Sequence, residues 1–236
     1  MKKLSATLAE IWQTPAGHAG KVYTPKLKQA DPGQYFQAWR EGEQSLLPGI
    51  VFPTSLASNG SIDLDQIPPS WYPGDRLVLW GPLGHGFSLP SGVNLVFIVS
   101  SKPDISRLKP VAELAIAKGL SVSLFVDKFE PGYWHNGLPA AIEIQALSDL
   151  SEGVSQPGFF AAEVDASNHP SVSELVSRQI PKVLHQCQGQ VLVRTAMPCI
   201  GIAECGACAI KTRKGWRYAC KDGPVFSLED LIDVAA

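Results

Sequence analysis

The sequence predicts an α/β protein with an attached β-barrel: a small antiparallel barrel over residues 1–90, a Rossmann-like parallel sheet covered by helices over 91–194, and a small metal-binding domain over 195–236. Three observations carry this. More than half of the 19 prolines fall before residue 91, among short alternating stretches, which excludes long helices there and favours antiparallel strands. From residue 92 the pattern changes to near-continuous apolar runs alternating with helical segments, as in a buried parallel sheet. Near the C-terminus four of the five cysteines fall between residues 199 and 220.

In the barrel region the alternating stretches are KVYTPKL, GQYFQAW, SIDLDQI and RLVLWG. Turn signals separate them: Asp31-Pro32-Gly33, Pro48-Gly49, Asn59-Gly60, Pro68-Pro69 and Pro73-Gly74-Asp75. VNLVFIVSS then reads as the first buried strand. A helix follows in DISRLKPVAELAIAKG, with Asp104 as N-cap, Gly119 as stop and a kink or restart at Pro110. LSVSLFV, AIEIQAL and GFFAAEV are the next strands, SVSELVSRQIPKVLHQC a proline-interrupted helix, and QVLVRT the closing strand.

A chain of 236 residues that is 45% hydrophobic can bury a sizeable core. The formal net charge of -2 gives no global basic field, which argues against nucleic acid as a partner. The start, MKKLSATLAEIW, is interrupted by Ser5, Thr7 and Glu10, so it lacks the apolar core of a signal peptide, and no apolar run is long enough for a spanning helix. A cytoplasmic location is expected, where thiols stay reduced and clustered cysteines hold metal rather than form disulfides.

Cys199, Cys205, Cys208 and Cys220 are the candidate metal ligands. Zinc ribbons bring two C-x2-C knuckles from separate turns, and here only Cys205 and Cys208 form such a pair. Plant-type 2Fe-2S sites use a C-x4-C-x2-C run with a fourth cysteine further on; this chain has one extra residue in the first gap. Gly201, Ala203, Gly206, Ala207 and Ala209 suit a backbone that wraps closely around inorganic sulfide. The pattern favours iron-sulfur, with structural zinc as the alternative.

The segment AMPCIGIAECGACAIKTRKGWRYACKDGPVFSLEDL resembles the cluster domain of the electron-transfer subunit of two-subunit dihydroorotate dehydrogenases, most closely in CKDGPVF at Cys220 to Phe226. PGQYFQ at 32–37 and PGDRLVLWGPLGHGF at 73–87 resemble the same family and ferredoxin reductases more broadly. The resemblance implies a 2Fe-2S electron-transfer subunit in a hetero-oligomer with a separate flavoprotein catalytic subunit, acting in pyrimidine biosynthesis. It also implies FAD on the barrel and NAD on the sheet, but the motifs for both depart from the family pattern. The family's flavin-binding R-P-x-S run corresponds to VFPTSL, placing Phe52 where an arginine would meet the pyrophosphate, and a phenylalanine cannot neutralise phosphate. The glycine-rich turn after the first sheet strand reads SSKPDIS, and EVDASNHP stands where a C-G-P turn is expected. FAD is therefore expected to be absent or weakly held, NAD not to bind, and the chain not to oxidise NADH alone. Two other classes stay open: an assembly subunit with structural zinc, and a complete FAD/NAD(P)H reductase with atypical contacts.

Other features have plainer readings. Gly81 to Gly86 is a phosphate-cradling loop or a turn between domains. His18, His85, His135, His169 and His185 share no ligand spacing, Cys187 is a small apolar residue on a helix, and YWHN at 133–136 is a loop anchor. Lys211, Arg213, Lys214, Arg217 and Lys221 form a basic run with no acid among them, either a solvated hairpin face or a docking rim.

Overall fold

Alternation of inward and outward side chains builds the first sheet from its N-terminus. The structure, a computed structural model, describes residues 2–14, 17–27, 29–100, 104–127, 137–153, 158–167, 171–199 and 201–232. In β1 (Lys2–Thr14) Leu4, Ala6 and Leu8 are buried while Lys3, Ser5 and Thr7 are exposed. β2 (Gly17–Tyr23), β3 (Tyr35–Arg40), β4 (Gly49–Val51), β5 (Ser61–Leu64) and β6 (Arg76–Leu83) complete a sheet of order β4-β3-β6-β1-β2-β5 with every pairing antiparallel. The sheet curls until its edges meet: Thr54 N–H donates to Asp63 O at 2.8 Å and Asp65 N–H to Phe52 O at 2.9 Å. Leu8, Val22, Phe36, Ile62, Leu64, Leu77 and Leu79 fill its interior. Burying each of these side chains contributes about 1.5–3 kcal/mol.

β3 has two jobs. Phe36 and Ala38 point into the barrel, whereas Tyr35 belongs to the core of the second sheet, since successive strand residues face opposite ways. The barrel wall is thereby a shared layer.

The second unit comprises β7 (Leu95–Ser100), α1 (Lys109–Ala117), β8 (Ser121–Val126), β9 (Ile142–Ala146), α2 (Leu150–Gly153), β10 (Phe159–Asp165), α3 (Val172–Gln179) and β11 (Gln188–Arg194). A hairpin of β12 (Ala209–Thr212) and β13 (Gly215–Tyr218) follows, then β14 (Val225–Ser227) and α4 (Leu228–Leu231). The sheet order is β14-β11-β10-β7-β8-β9, parallel from β11 to β9, with β14 antiparallel on β11. The cysteine segment thus leaves the sheet at β11 and returns to it at β14. Its excursion is tethered at both ends.

Two helices differ from expectation. α1 begins at Lys109 rather than Asp104, because Pro110 fits the first turn, where its missing N–H has no intrahelical partner to lose. Asp104 instead accepts the Ser106 N–H at 2.9 Å. Gly119, at φ 75°, stops the helix as expected. α3 is capped by the Ser171 hydroxyl, which accepts the Glu174 N–H at 3.2 Å, and ends before Pro181; a 3-10 turn over Lys182–Gln186 takes up the remainder. Among the described residues no helix is long and apolar enough to cross a membrane.

β7 is the first strand of this sheet, and the chain places β8 and β9 on one side of it and β10 and β11 on the other. The switch point lies between β7 and β10. In open α/β sheets the crevice outside the carboxyl ends of such strands is where ligands bind.

Candidate metal centre

All four candidate cysteines lie on the excursion between β11 and β14, and the structure brings them together. The Cys199 thiol contacts those of Cys205 and Cys220, and Cys220 contacts Cys208. Cys208 and Cys220 are buried, Cys199 half-buried and Cys205 exposed. Gly201 (φ 70°), Ala203 (φ 63°) and Gly206 (φ 74°) adopt the left-handed conformation that turns the loop around the thiols. The extra stretch between Cys199 and Cys205 directs Ile202 outward, 52% exposed.

The thiols do not share one electrostatic environment. Burial opposes ionisation of Cys199, but hydrogen bonds from the Ala203 N–H and the neighbouring thiols outweigh it and lower the group to about 7. Burial and the adjacent Cys208 and Cys199 push Cys220 up. Among the described residues no group of three or more ligand-type side chains is set to hold a single metal ion.

The barrel wall holds this loop by its backbone. Tyr35 Oη donates to Cys220 O at 3.1 Å, and Gln37 Nε2 donates to Cys199 O and, at 3.4 Å, to Met197 O. Burial, reinforced by the nearby cysteine thiols, raises the Tyr35 phenol, so it stays an O–H donor. The 84–87 stretch makes a second strut: His85 N–H donates to Gly223 O at 2.5 Å and Phe87 N–H to Pro32 O at 2.7 Å. A Cβ on Gly84, at φ 72°, would sit 2.3 Å from Gly223 O, so only glycine permits this approach. In GPLGHG, Gly81 to Leu83 end β6 and Gly84 to Gly86 join the barrel to the cysteine segment, with the His85 amide used within the protein.

Neither Tyr35 nor Gln37 stands out in the sequence as a site residue, although both lie in PGQYFQ. The available signal is a glutamine on a strand whose other face is barrel core.

Around the thiols, Trp216 is 64% exposed, and Lys211, Arg213, Arg217 and Lys221 make no ion pair among the described residues. Lys214 is paired with Asp230 at 2.9 Å, which removes one charge from the expected basic rim. A cleft of about 430 Å³ between α3 and the hairpin is lined by Ser171, Thr195, Lys211, Arg213 and Trp216.

Phe52 is buried, packs against Tyr35 at 6.0 Å between ring centroids, and lies under the Arg107 guanidinium at 5.8 Å. Arg107 is ion-paired with Asp65 of the barrel and, at 3.0 Å, with Glu163 of β10. Burial pushes Asp65 up to about 6 despite Arg107 and the Phe52 N–H. Its native value therefore lies above its unfolded one of 3.8. The folded protein holds the extra proton between them, so the stability Asp65 contributes is full below about pH 4 and is lost as pH rises through about 6. Melting curves across that window should show the wild type losing ground to Asp65→Asn as pH rises; parallel curves contradict it.

Cys187 is half-buried after the 3-10 turn, away from the cluster loop in sequence. Ser101 to Pro103 of SSKPDIS, Asn168 to Pro170 of EVDASNHP, and YWHN at 133–136 lie outside the described residues, as do His135, His169 and the His185 side chain. His18 and His85 lie far from each other in the barrel and its exit turn.

An antiparallel barrel, a doubly wound sheet and a clamped four-thiol loop at its edge make up a ferredoxin-reductase-like fold. Residues 195–232 match the family described as the iron-sulfur cluster binding domain of dihydroorotate dehydrogenase B. The chain belongs to the family of dihydroorotate dehydrogenase B electron transfer subunits: a "Probable dihydroorotate dehydrogenase B (NAD(+)), electron transfer subunit" from Thermoplasma volcanium is 30% identical over 218 residues, covering 85% of this chain and 80% of that one. Similarity also extends to the "Sulfhydrogenase 1 subunit gamma" of Pyrococcus furiosus, 45% identical over 192 residues, or 68% of this chain and 64% of the other. Among solved structures, that of an NADH-dependent reduced ferredoxin-NADP oxidoreductase has the same fold, with a TM-score of 0.67 at 16% identity over 95% of this chain and 88% of that one.

Proposed function

We propose that this chain is the iron-sulfur electron-transfer subunit of a dihydroorotate dehydrogenase type complex, with Cys199, Cys205, Cys208 and Cys220 ligating one 2Fe-2S cluster. The carrying observation is the connected group of four thiols whose loop is held by Tyr35 and Gln37. When bound, the cluster supplies one-electron exchange, chemistry that belongs to the cofactor. The chain's own residues ligate, bury one side of the site through Cys208 and Cys220, and leave Cys205 at the surface where a partner can approach. That partner is a flavoprotein catalytic subunit, and the two form a hetero-oligomer. We assign the barrel, sheet and cluster-binding roles to residues 1–90, 91–194 and 195–236, with β14 of the last segment completing the sheet of the second.

Anaerobic purification with assay of iron and acid-labile sulfide tests this directly. Equimolar iron and sulfide support it; zinc without sulfide identifies the structural-metal alternative. Co-purification with the native partner then identifies the complex.

The unpaired cations of the hairpin predict how docking behaves. An acidic partner surface would be steered toward Cys205, an attraction felt over a Debye length of about 8–10 Å. The rate of electron delivery to the partner should fall with added salt, and charge reversal at Lys211 and Arg217 should lower it further at low salt. A flat salt dependence with both reversals silent removes this role.

A further inference from the structure

We infer that the crevice at the switch point, between the barrel and the carboxyl ends of β7 and β10, is closed in this chain by a net-acidic ion network and receives neither FAD nor NAD. Arg107 reaches it from the loop after β7, Glu163 and Asp165 from the end of β10, Arg194 from the end of β11, and Asp65 from the barrel residue after β5. These are the positions from which this class of sheet addresses a ligand.

Among the described residues the cations there are already engaged. Arg107 Nε pairs with Asp65; its Nη1 meets Glu163 at 3.0 Å and Asp104 at 3.9 Å. Arg194 Nε meets Glu163 at 2.6 Å, and its Nη2 pairs with Asp165. With the Gln66 amide turned so that both its ends are satisfied, its oxygen accepts from Arg194 at 3.2 Å and Arg107 at 3.3 Å, while its nitrogen donates to Ile50 O at 3.1 Å. Two guanidinium groups face four carboxylates, a formal excess of negative charge. A diphosphate would add to that excess with no uncommitted arginine to offset it.

Three of the four backbone N–H donors of the neighbouring run are committed too. In the FPTSL run, Phe52 N–H donates to the Asp65 carboxylate at 2.8 Å, Thr54 N–H to Asp63 O at 2.8 Å, and Leu56 N–H to the Glu113 carboxylate at 3.0 Å. Two protein carboxylates occupy amides that a phosphate would need. The side chains of Arg107 and Asp65 are 3% and 4% exposed, so opening the crevice would strand buried charges. Phe52 and Tyr35 fill the space beneath the guanidinium. The network therefore joins barrel to sheet and leaves the chain without a hydride site of its own.

The test is equilibration of the purified full chain with FAD, and separately with NADH, followed by gel filtration, denaturation of the protein fraction and chromatographic assay of the released nucleotide. Free elution of both is expected; near-stoichiometric FAD or NADH travelling with the protein overturns the inference. A second arm titrates ADP into Asp65→Ala, which frees the Phe52 amide and one arm of Arg107. At least a tenfold gain in ADP affinity over wild type is expected; no gain in a variant with an intact cooperative melt overturns the role given to Asp65. If that variant does not fold, the wild-type result decides alone. Iron and sulfide enter neither readout, so this inference and the electron-transfer proposal stand or fall separately.

Discussion

Replacing Cys220 with alanine is expected to remove most of the iron and acid-labile sulfide from the purified protein. Cys220 is a buried thiol that contacts both Cys199 and Cys208, so it links the first cysteine of the loop to the last. On the proposed 2Fe-2S assignment the three remaining thiols leave one iron with one protein ligand instead of two, and metal affinity depends on ligand count as well as on the shell that orients the ligands. The backbone around Cys220 should survive the change, since Tyr35 holds its carbonyl rather than its thiol. Loss of cluster with a near-native far-UV spectrum is therefore the expected pattern. Cys187→Ala, outside the loop, should keep full iron and sulfide. If Cys220→Ala retains full iron and sulfide with an unchanged EPR spectrum after reduction, the ligand assignment is wrong.

Arg107→Met is expected to destabilise the chain by about 3–5 kcal/mol, the usual result of removing one partner from a buried ion pair. For a protein of this size that is a fall in Tm of roughly 10 °C. The cause is the charge left behind: Asp65 and Glu163 lose their shared guanidinium while remaining buried. The effect should be larger above pH 6, where Asp65 is ionised, than at pH 5, where burial favours its protonated form. The double variant Arg107→Met with Asp65→Asn should lose less than the sum of the two single losses, because each single change exposes a cost that the other removes. Additive losses, or an Arg107→Met loss within about 0.5 kcal/mol, the range of an ordinary surface substitution, would show that the network holds nothing together.

The order of the architecture was legible from one end of the chain to the other because its signals are local. Buried parallel strands need continuous apolar runs, so LVFIVS and SVSLFV announce themselves. Cysteine spacing is likewise a property of a few residues in a row. β1 carries the same kind of signal, with Leu4, Ala6 and Leu8 alternating against polar neighbours, although MKKLSATLAEIW is not among the stretches expected as barrel strands. Helix starts were less legible: Asp104 and Leu108 both precede an apolar periodic run, and only the tertiary fold, which draws Arg107 into the crevice, places the first turn at Lys109.

By itself the sequence determined the thiols, most strand and helix types and the phenylalanine at position 52, since each depends on residue identity or on spacing within one turn or strand. Only the tertiary structure decided what surrounds them. Tyr35 meets Cys220 across 185 residues and Gln37 meets Cys199 across 162, while Asp65 and Glu163 reach Arg107 from different sheets. Such pairings leave no periodic trace, because the energy of a buried hydrogen bond or ion pair depends on which groups the fold brings out of water together, and not on their separation along the chain.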